Sequence, residues 1–575
     1  MRYLSIIALM FLLFACNPVK ETPDKPVNYD SLRLDSIHKA NTQRYAQTYI
    51  ESGENIRKII ESRIPGERYK AFGIELYSSV LLPKTYIENS FSPLWITSYD
   101  SLTKVQEMVN FVRDTEYHGL VPDHYHYQEL YARLESLIND SDHLYDPVFI
   151  ANFDLLLTDA YFMIASHLYH GKVDPESMES QWGIRRDKPD LPLDARLKYM
   201  LKHETVEEGF RHFYPPNPGY AGMVEEYKKL KSLIDKDFSI NVQLKSGSIK
   251  PGDSLADVAE IKKKLTFWNL YSPDTTSYPG KYDEKAVEAM KKLQHQFGYN
   301  TDGIIGKNAV KALNQGVKER IDLLAVNMER LRWMPDSLEP VYILVNIADF
   351  TLQVFRASDT LMSMRTIVGK DYRETPVFNA LITYLVLSPS WTVPPTIQRQ
   401  DVIPAVARNA GYLASKNMKV YDSKGKLVDP ASVNWKRDGM RYTIRQSPGA
   451  QNALGKVKFM FPNKHNVYLH DTPSRELFAR DERTFSSGCI RIEKPMELAQ
   501  LLLSDMDGWS PEKVKQAMNS SSEKTVVLKS PAGVYLYYLT AWADSKGIIH
   551  YRSDIYNRDK EMLIALREKH KKWNT

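Results

Sequence analysis

Near Val341 the apolar periodicity of the chain changes from helical to alternating, and that change limits what each half can fold into. Upstream, Leu157, Tyr161, Ile164 and Leu168 recur on one helical face, and Leu134, Leu137 and Ile138 give a shorter stripe. Downstream, 342–347, 352–355, 364–368, 382–387, 442–445 and 467–470 are short runs bounded by Gly, Pro, Asn and Asp, which predicts strands. With 575 residues the chain has room for several domains, so the expected class is multidomain α+β, helices first and strands last.

Turn residues divide it further. A mostly helical region spans 30–245, punctuated by Gly119 to Pro122, Gly171 to Pro175 and a break at Pro215-Pro216-Asn217-Pro218-Gly219. Residues 250–316 form a compact unit with stripes Leu255, Val258, Ile261, Leu265 and Ala286, Met290, Leu293, Phe297. A linker helix follows in 317–338, with Val317, Ile321, Leu324, Met328 and Leu331 on one face. The β region covers 339–550. Within it, 389–448 reads as an inserted element, a helical piece near 399–408 and then loop, of the length that lids take. A helix over 495–503, closing strands at 526–528 and 534–539, and a charged tail over 551–575 complete the expectation.

The N-terminus reads as an export signal. Arg2 precedes an apolar run from Leu4 to Ala15 that is too short to span a membrane, and Cys16 follows it. Leu13-Phe14-Ala15-Cys16 resembles a bacterial lipobox, which implies removal of residues 1–15, lipid on Cys16 and a Pro-containing tether over 16–29. The expected location is the periplasm, anchored to a bacterial membrane, with Asn17 compatible with the outer one. Net charge is +5 with 26% charged residues, too balanced for a nucleic-acid partner.

The chain has two cysteines, so lipid on Cys16 leaves Cys489 without an intramolecular partner in an oxidising compartment. An unpaired thiol there is a liability unless it does chemistry. Cys489 lies nineteen residues beyond His470, in Ser486-Ser487-Gly488-Cys489-Ile490-Arg491. His470 ends the alternating run Val467 to His470, and Ser-Ser-Gly is loop composition that lets backbone N–H groups approach a reacting carbonyl. A thiol attacks as thiolate and needs a nearby base, which His470 supplies if the loop folds back. Two other histidine groups, His118, His124, His126 and His167, His170, have no carboxylate or cysteine at a ligand spacing and read as structural. No metal or cofactor is expected.

The segment from Tyr468 to Arg491 resembles the active-site signature of the YkuD-type L,D-transpeptidases. Gly369-Lys370 with Thr375-Pro376, Pro389-Ser390-Trp391-Thr392-Val393-Pro394, Gln446-Ser447-Pro448-Gly449 through Asn452 to Gly455, and Tyr468-Leu469-His470-Asp471 extend the likeness to the large capped branch from Gram-negative bacteria. Asp302-Gly303-x-x-Gly306-x-x-Ala309 likewise resembles a peptidoglycan-binding domain. The resemblance implies a helical scaffold domain, a small helical peptidoglycan-binding domain and a YkuD-type β-sandwich carrying an inserted capping subdomain. It implies peptidoglycan stem peptides as donor and acceptor, release of D-Ala, 3→3 cross-links and inhibition by carbapenems. It puts the nucleophile on Cys489, the base on His470, an orienting backbone carbonyl on Asp471 and pocket positions on Tyr468, Gly488, Arg491 and Trp391. Ser487 stands where many members have a second histidine. Backbone N–H groups of Gly488 and Cys489 are the expected oxyanion donors. Hydrolysis of stem peptides on the same chemistry and a non-catalytic wall-binding lipoprotein are the alternatives. Arg475, Arg480 and Arg483 read as a solvated loop face.

Overall fold

A computed structural model describes residues 42–569 apart from 98–100, 180–181, 186–187, 237–240, 246 and 274–277. The expected signal, Cys16 and the whole tether, 16–29, therefore lie outside the described residues.

The scaffold is built on helix α1, Pro147–His170. Asp146 caps it by accepting from the N–H groups of Val148 at 2.9 Å and Phe149 at 3.1 Å, and Pro147 fills the first position, where no donor is needed. The helix is apolar around its whole circumference and long enough to cross a membrane by length and composition, yet it is buried among the other scaffold helices. Its buried carboxylates are satisfied: Asp154 accepts from the main chain of Leu94, Trp95 and Ile96 and from Tyr86. The scaffold histidines take part in similar pairs, His126 with Asp159, His167 with Tyr125 and His118 with Tyr220. Helix α2, Gly219–Lys231, closes the scaffold.

Three helices, α3 (Asp257–Phe267), α4 (Glu284–Gln296) and α5 (Lys307–Asn314), form the next unit. The loop between α4 and α5 is held by Gln294 and Asp302, which bond the main chain of Gly303 and Ile304, while Ile249 and Ile305 bridge beside it.

Helix α6, Val317–Arg332, is not the linker with one apolar face that its stripe predicts. Twelve of its sixteen residues are buried, on all sides, because every module packs against it. Toward the scaffold, Arg332 and Glu329, both fully buried, pair at 2.6 Å, Arg332 also donates to the Tyr220 hydroxyl at 2.9 Å, and Glu329 accepts from Val173 N–H at 2.7 Å. Gly171, which ends α1 at φ +90°, leaves space that any Cβ would take from Trp333 and Glu329. Toward the β domain, Arg330 pairs with Asp559 at 2.6 Å and Asn327 exchanges two hydrogen bonds with Thr540. Toward the small helical unit, the Arg320 guanidinium stacks on Trp268, 3.4 Å from the ring centre.

The catalytic-side strands are β1 (Val341–Asn346), β2 (Thr351–Arg356), β3 (Asp359–Gly369) and β4 (Val377–Leu387). The cap strands are β5 (Trp391–Thr392), β6 (Met418–Tyr421), β7 (Leu427–Val428) and β8 (Thr443–Gln446). Then come β9 (Val457–Met460), β10 (Leu469–His470), β11 (Thr484–Ser486), β12 (Ile490–Ile492) and β13 (Lys524–Tyr537). The main sheet runs β9-β10-β12-β3-β2-β1-β13-β4, and β4 pairs back to β9, so the two faces of the sandwich are one sheet closed on itself. The two closing strands expected at 526–528 and 534–539 are the single strand β13. Its register shifts between Val527 and Ala532, around Pro531, which has no N–H for the ladder.

Two further readings change. The insertion has the expected helical piece, which runs over 395–408, but the part read as loop carries a four-stranded antiparallel sheet, β7-β6-β8-β5, and the two share a core of Val393, Val402, Val406, Leu413, Val420 and Ile444. Asn452 clamps both ends of this cap by donating to the carbonyls of Pro389 at 3.0 Å and Ser447 at 2.9 Å. The charged tail is not solvated from 551 onward: α7, Asp559–Arg567, buries Met562 and Leu566, and Lys172 donates to the carbonyls of Leu566 and Glu568.

Removing one partner of a buried pair strands the other charge, so Glu329→Gln or Arg332→Met should each lower stability by roughly 3–5 kcal/mol. The double variant should recover part of that loss, read as denaturation midpoints of the three proteins.

Candidate active site

Strands β10 and β12 run parallel, with Leu469 opposite Ile490 and His470 opposite Arg491. The ladder continues one residue back, where Ile490 N–H donates to the Tyr468 carbonyl at 3.1 Å. Side chains alternate between faces, so Leu469, Ile490 and Ile492, all 0% exposed, point into the core. Tyr468, His470, Cys489 and Arg491 share the opposite face. The Tyr468 and His470 rings meet edge to face with centres 5.7 Å apart, which fits that placement. Cys489 and His470 are diagonal neighbours, a relation that separates Cα atoms by about 7–8 Å.

His470 is oriented from behind. Its Nδ1 lies 2.5 Å from the Asp471 carbonyl, which only accepts, so Nδ1 carries the proton and Nε2 keeps its lone pair. The Asp471 carboxylate does other work, accepting from Thr472 N–H at 2.7 Å and Lys456 N–H at 2.9 Å and so holding the turn at Gly455. Gly455, at φ +60°, leaves room for that carboxylate; a Cβ would lie 2.4 Å from it. Burial, reinforced by the Arg491 cation, pushes the His470 pKa down to about 3. Burial raises the Cys489 thiol, while hydrogen bonds from Tyr468 and the Arg491 charge pull it back. At rest the thiol and the imidazole are therefore both neutral, and the thiol's hydrogen-bond acceptor is the Asn466 carbonyl at 3.9 Å.

The nucleophile loop is braced by residues that the sequence did not single out as site residues. Thr375 Oγ1 donates to the Gly488 carbonyl at 2.8 Å and accepts from Gly369 N–H at 2.9 Å. Tyr556 donates to the Gly369 carbonyl at 2.6 Å and accepts from Thr375 N–H at 3.2 Å. Thr375 fell within a recognised motif, but Tyr556 lay in the supposed tail and carried no signal. Arg373 donates to Ser487 Oγ at 2.8 Å and pairs with Asp401 at 2.9 Å, and it also bonds Gln400. One guanidinium thus joins the cap helix to the residue two before the nucleophile.

Three placements differ from the sequence reading. Gly488, at φ +112°, donates its N–H to Ser486 Oγ at 3.1 Å, and Ser486 in turn donates to the Cys489 carbonyl at 2.5 Å. That N–H is engaged in holding the loop and is not presented as an oxyanion donor. Trp391 packs against the cap core, because its strand pairs with Gln446 inside the cap sheet. Of the loop arginines only Arg480 is simply exposed. Arg475 bonds the carbonyls of Ile492 and Glu493, and Arg483 lies over Phe350 and donates to the Arg480 carbonyl. Arg491, by contrast, is half-buried beside the thiol, and its Nε has no hydrogen-bond partner among the described residues.

Comparison with known proteins gives matches to three families. The family described as "L,D-transpeptidase catalytic domain", YkuD, matches residues 340–527. Residues 340–527 are thus similar to a YkuD catalytic domain. The families described as "Scaffold domain" and "Putative peptidoglycan binding domain" match 80–226 and 254–313. A Haemophilus influenzae protein described as "Putative L,D-transpeptidase" is 36% identical over 244 residues, 42% of this chain and 49% of that one, so the chain spans about half the length of the curated relative it matches. A solved L,D-transpeptidase from Stackebrandtia nassauensis aligns over 51% of this chain and 97% of that one at 13% identity and a TM-score of 0.19. One solved in complex with imipenem aligns over 34% and 58% at 15% identity and a TM-score of 0.17. Superpositions this low add nothing to the assignment, which rests on the family matches and on the YkuD domain's own strands.

Two outcomes follow for the YkuD domain. Alkylation of Cys489 by iodoacetamide should rise only above the ordinary thiol range, with no plateau at pH 5–7, and Arg491→Met should move the inflection higher; an inflection below pH 7 would mean a thiolate–imidazolium pair instead. Arg373→Ala should release about 1–2 kcal/mol of cap attachment, partly screened by solvent, and so speed hydrogen exchange in 395–408 by roughly tenfold.

Proposed function

We propose that the chain is a peptidoglycan L,D-transpeptidase acting through a cysteine thioester, anchored in the periplasm through lipid on Cys16. The observation that carries the reading is the shared face of Tyr468, His470, Cys489 and Arg491, with the His470 lone pair directed away from the Asp471 carbonyl. The Cys489 thiol adds to the carbonyl of the third stem residue of a tetrapeptide donor as its proton passes to His470 Nε2. The tetrahedral intermediate collapses, the C–N bond to D-Ala breaks, and the imidazolium returns the proton to the leaving amine. The acceptor's amine then attacks the thioester, His470 takes a proton from it, and the thiolate leaves and is reprotonated as the 3→3 link forms.

Arg491 is suited to a stem carboxylate, since its Nε is buried without a partner and a guanidinium fork matches that group. Main-chain N–H of Cys489 is the oxyanion donor that fits best once Gly488 N–H is engaged with Ser486. The cap, joined to the nucleophile loop by Arg373, favours transfer over hydrolysis by keeping water from the thioester.

Incubation with disaccharide-tetrapeptide should yield cross-linked dimer and free D-Ala, resolved by mass. Cys489→Ala should remove all turnover, and a carbapenem should leave a mass adduct on the parent and none on the variant. Release of tripeptide with no dimer would sink the transferase reading in favour of a hydrolase.

A further inference from the structure

Between the small helical unit and the YkuD domain runs a cleft of about 680 Å³, in the size range of ligand sites. One wall is helical-unit surface around Tyr299, Asn308 and Lys311, and the other is YkuD surface around Lys370, Glu482 and Phe485. A second hollow of about 280 Å³ adjoins it and reaches the loop of Asp302 and Gly306. Tyr299, Asn308 and Asp481 line both, so the two form one groove from the signature loop of the helical unit to strand β11. That strand leads straight into the nucleophile loop: Lys370 N–H donates to the Ser486 carbonyl at 3.1 Å, three residues before Cys489.

The walls are cross-braced. Arg552 donates to Asp349 at 2.5 Å and to the Gln296 carbonyl of the helical unit at 2.8 Å, so the groove exists before any ligand arrives. Its lining interleaves the aromatic rings of Tyr299 and Phe485 with carboxylates, ammonium groups and an amide. Both charge signs are present together, which suits neither a polyanion nor a cation. Such a surface fits a neutral chain dense in hydroxyl and amide groups, with ring faces for stacking.

Reach identifies the occupant more closely. Phe485 stands four residues from Cys489, at most about 14 Å along an extended chain. A four-residue stem peptide spans the same distance. We infer that this interdomain groove binds the glycan backbone of a peptidoglycan strand, an N-acetylated amino-sugar polymer, one stem length from the thiol. The helical unit and the YkuD domain then grip a single strand together, and the stem peptide hanging from it is delivered to Cys489. This assignment rests on the stem-peptide reading of the catalytic face.

The test is binding of an uncharged N-acetylglucosamine tetrasaccharide to the full chain carrying Cys489→Ala, by calorimetry, with one substitution from each wall. Asn308→Ala and Glu482→Ala, both at exposed positions, should each weaken binding by roughly tenfold at unchanged melting temperature. On the Cys489 protein, the same two substitutions should reduce the preference for glycan-linked over free tetrapeptide, measured as the ratio of kcat/KM values. Absent glycan binding, or binding indifferent to Glu482→Ala, overturns the groove, the second by confining the site to the helical unit. Wall-dependent glycan binding with no D-Ala release would keep the groove and reject the transpeptidase reading.

Discussion

The buried Glu329–Arg332 pair on helix α6 sits where the modules meet. Two charges removed from water are costly unless further hydrogen bonds compensate them, and here the scaffold supplies three, from Val173 N–H, the Tyr220 hydroxyl and the His118 carbonyl, while Arg332 Nε has no partner among the described residues. A few residues earlier the same helix bonds Thr540 and Asp559 of the β domain and stacks Arg320 on Trp268 of the small helical unit. None of these groups can be left unpaired without a penalty, so the helix fixes three modules in one arrangement. The groove between the helical unit and the YkuD domain depends on that rigidity.

Within the YkuD domain the corresponding constraint is strand register. A parallel ladder sets Leu469 against Ile490 and His470 against Arg491, and the core side of both strands is fully buried. A slip of one residue would place His470 in the core and Leu469 beside the thiol, so burial of the apolar residues keeps the chemistry on one face. Burial also sets the protonation states. It holds the imidazole neutral and the thiol protonated.

Local pattern carried a good deal of this. Period-two runs between turn residues located strands β1 and β2 and the core parts of β3 and β4, and the Cys489/His470 pair stood out because a lone thiol and a histidine flanked a loop. Of the cap sheet only β8 was located, by the run at 442–445, although Met418-Lys419-Val420-Tyr421 followed by Asp-Ser-Lys-Gly-Lys has the form of a hairpin. Arg373, Thr375 and Tyr556 could not be found as one brace, since most of their partners lie 27 to 187 residues away. Gly488 shows a subtler limit: its positive φ was consistent with an anion-binding turn, yet a neighbouring hydroxyl already takes its N–H.

Sequence by itself determined the module order, the change from helical to strand period at Val341 and the candidate pair Cys489 and His470, because these depend on side-chain type and on local spacing. Only the tertiary structure decided which arginine faces the thiol and what braces its loop. It also turned a supposed linker into a central beam and opened a groove toward Cys489. Those outcomes are set by contacts across hundreds of residues, where desolvation requires each buried charge and donor to find a partner that local pattern does not specify.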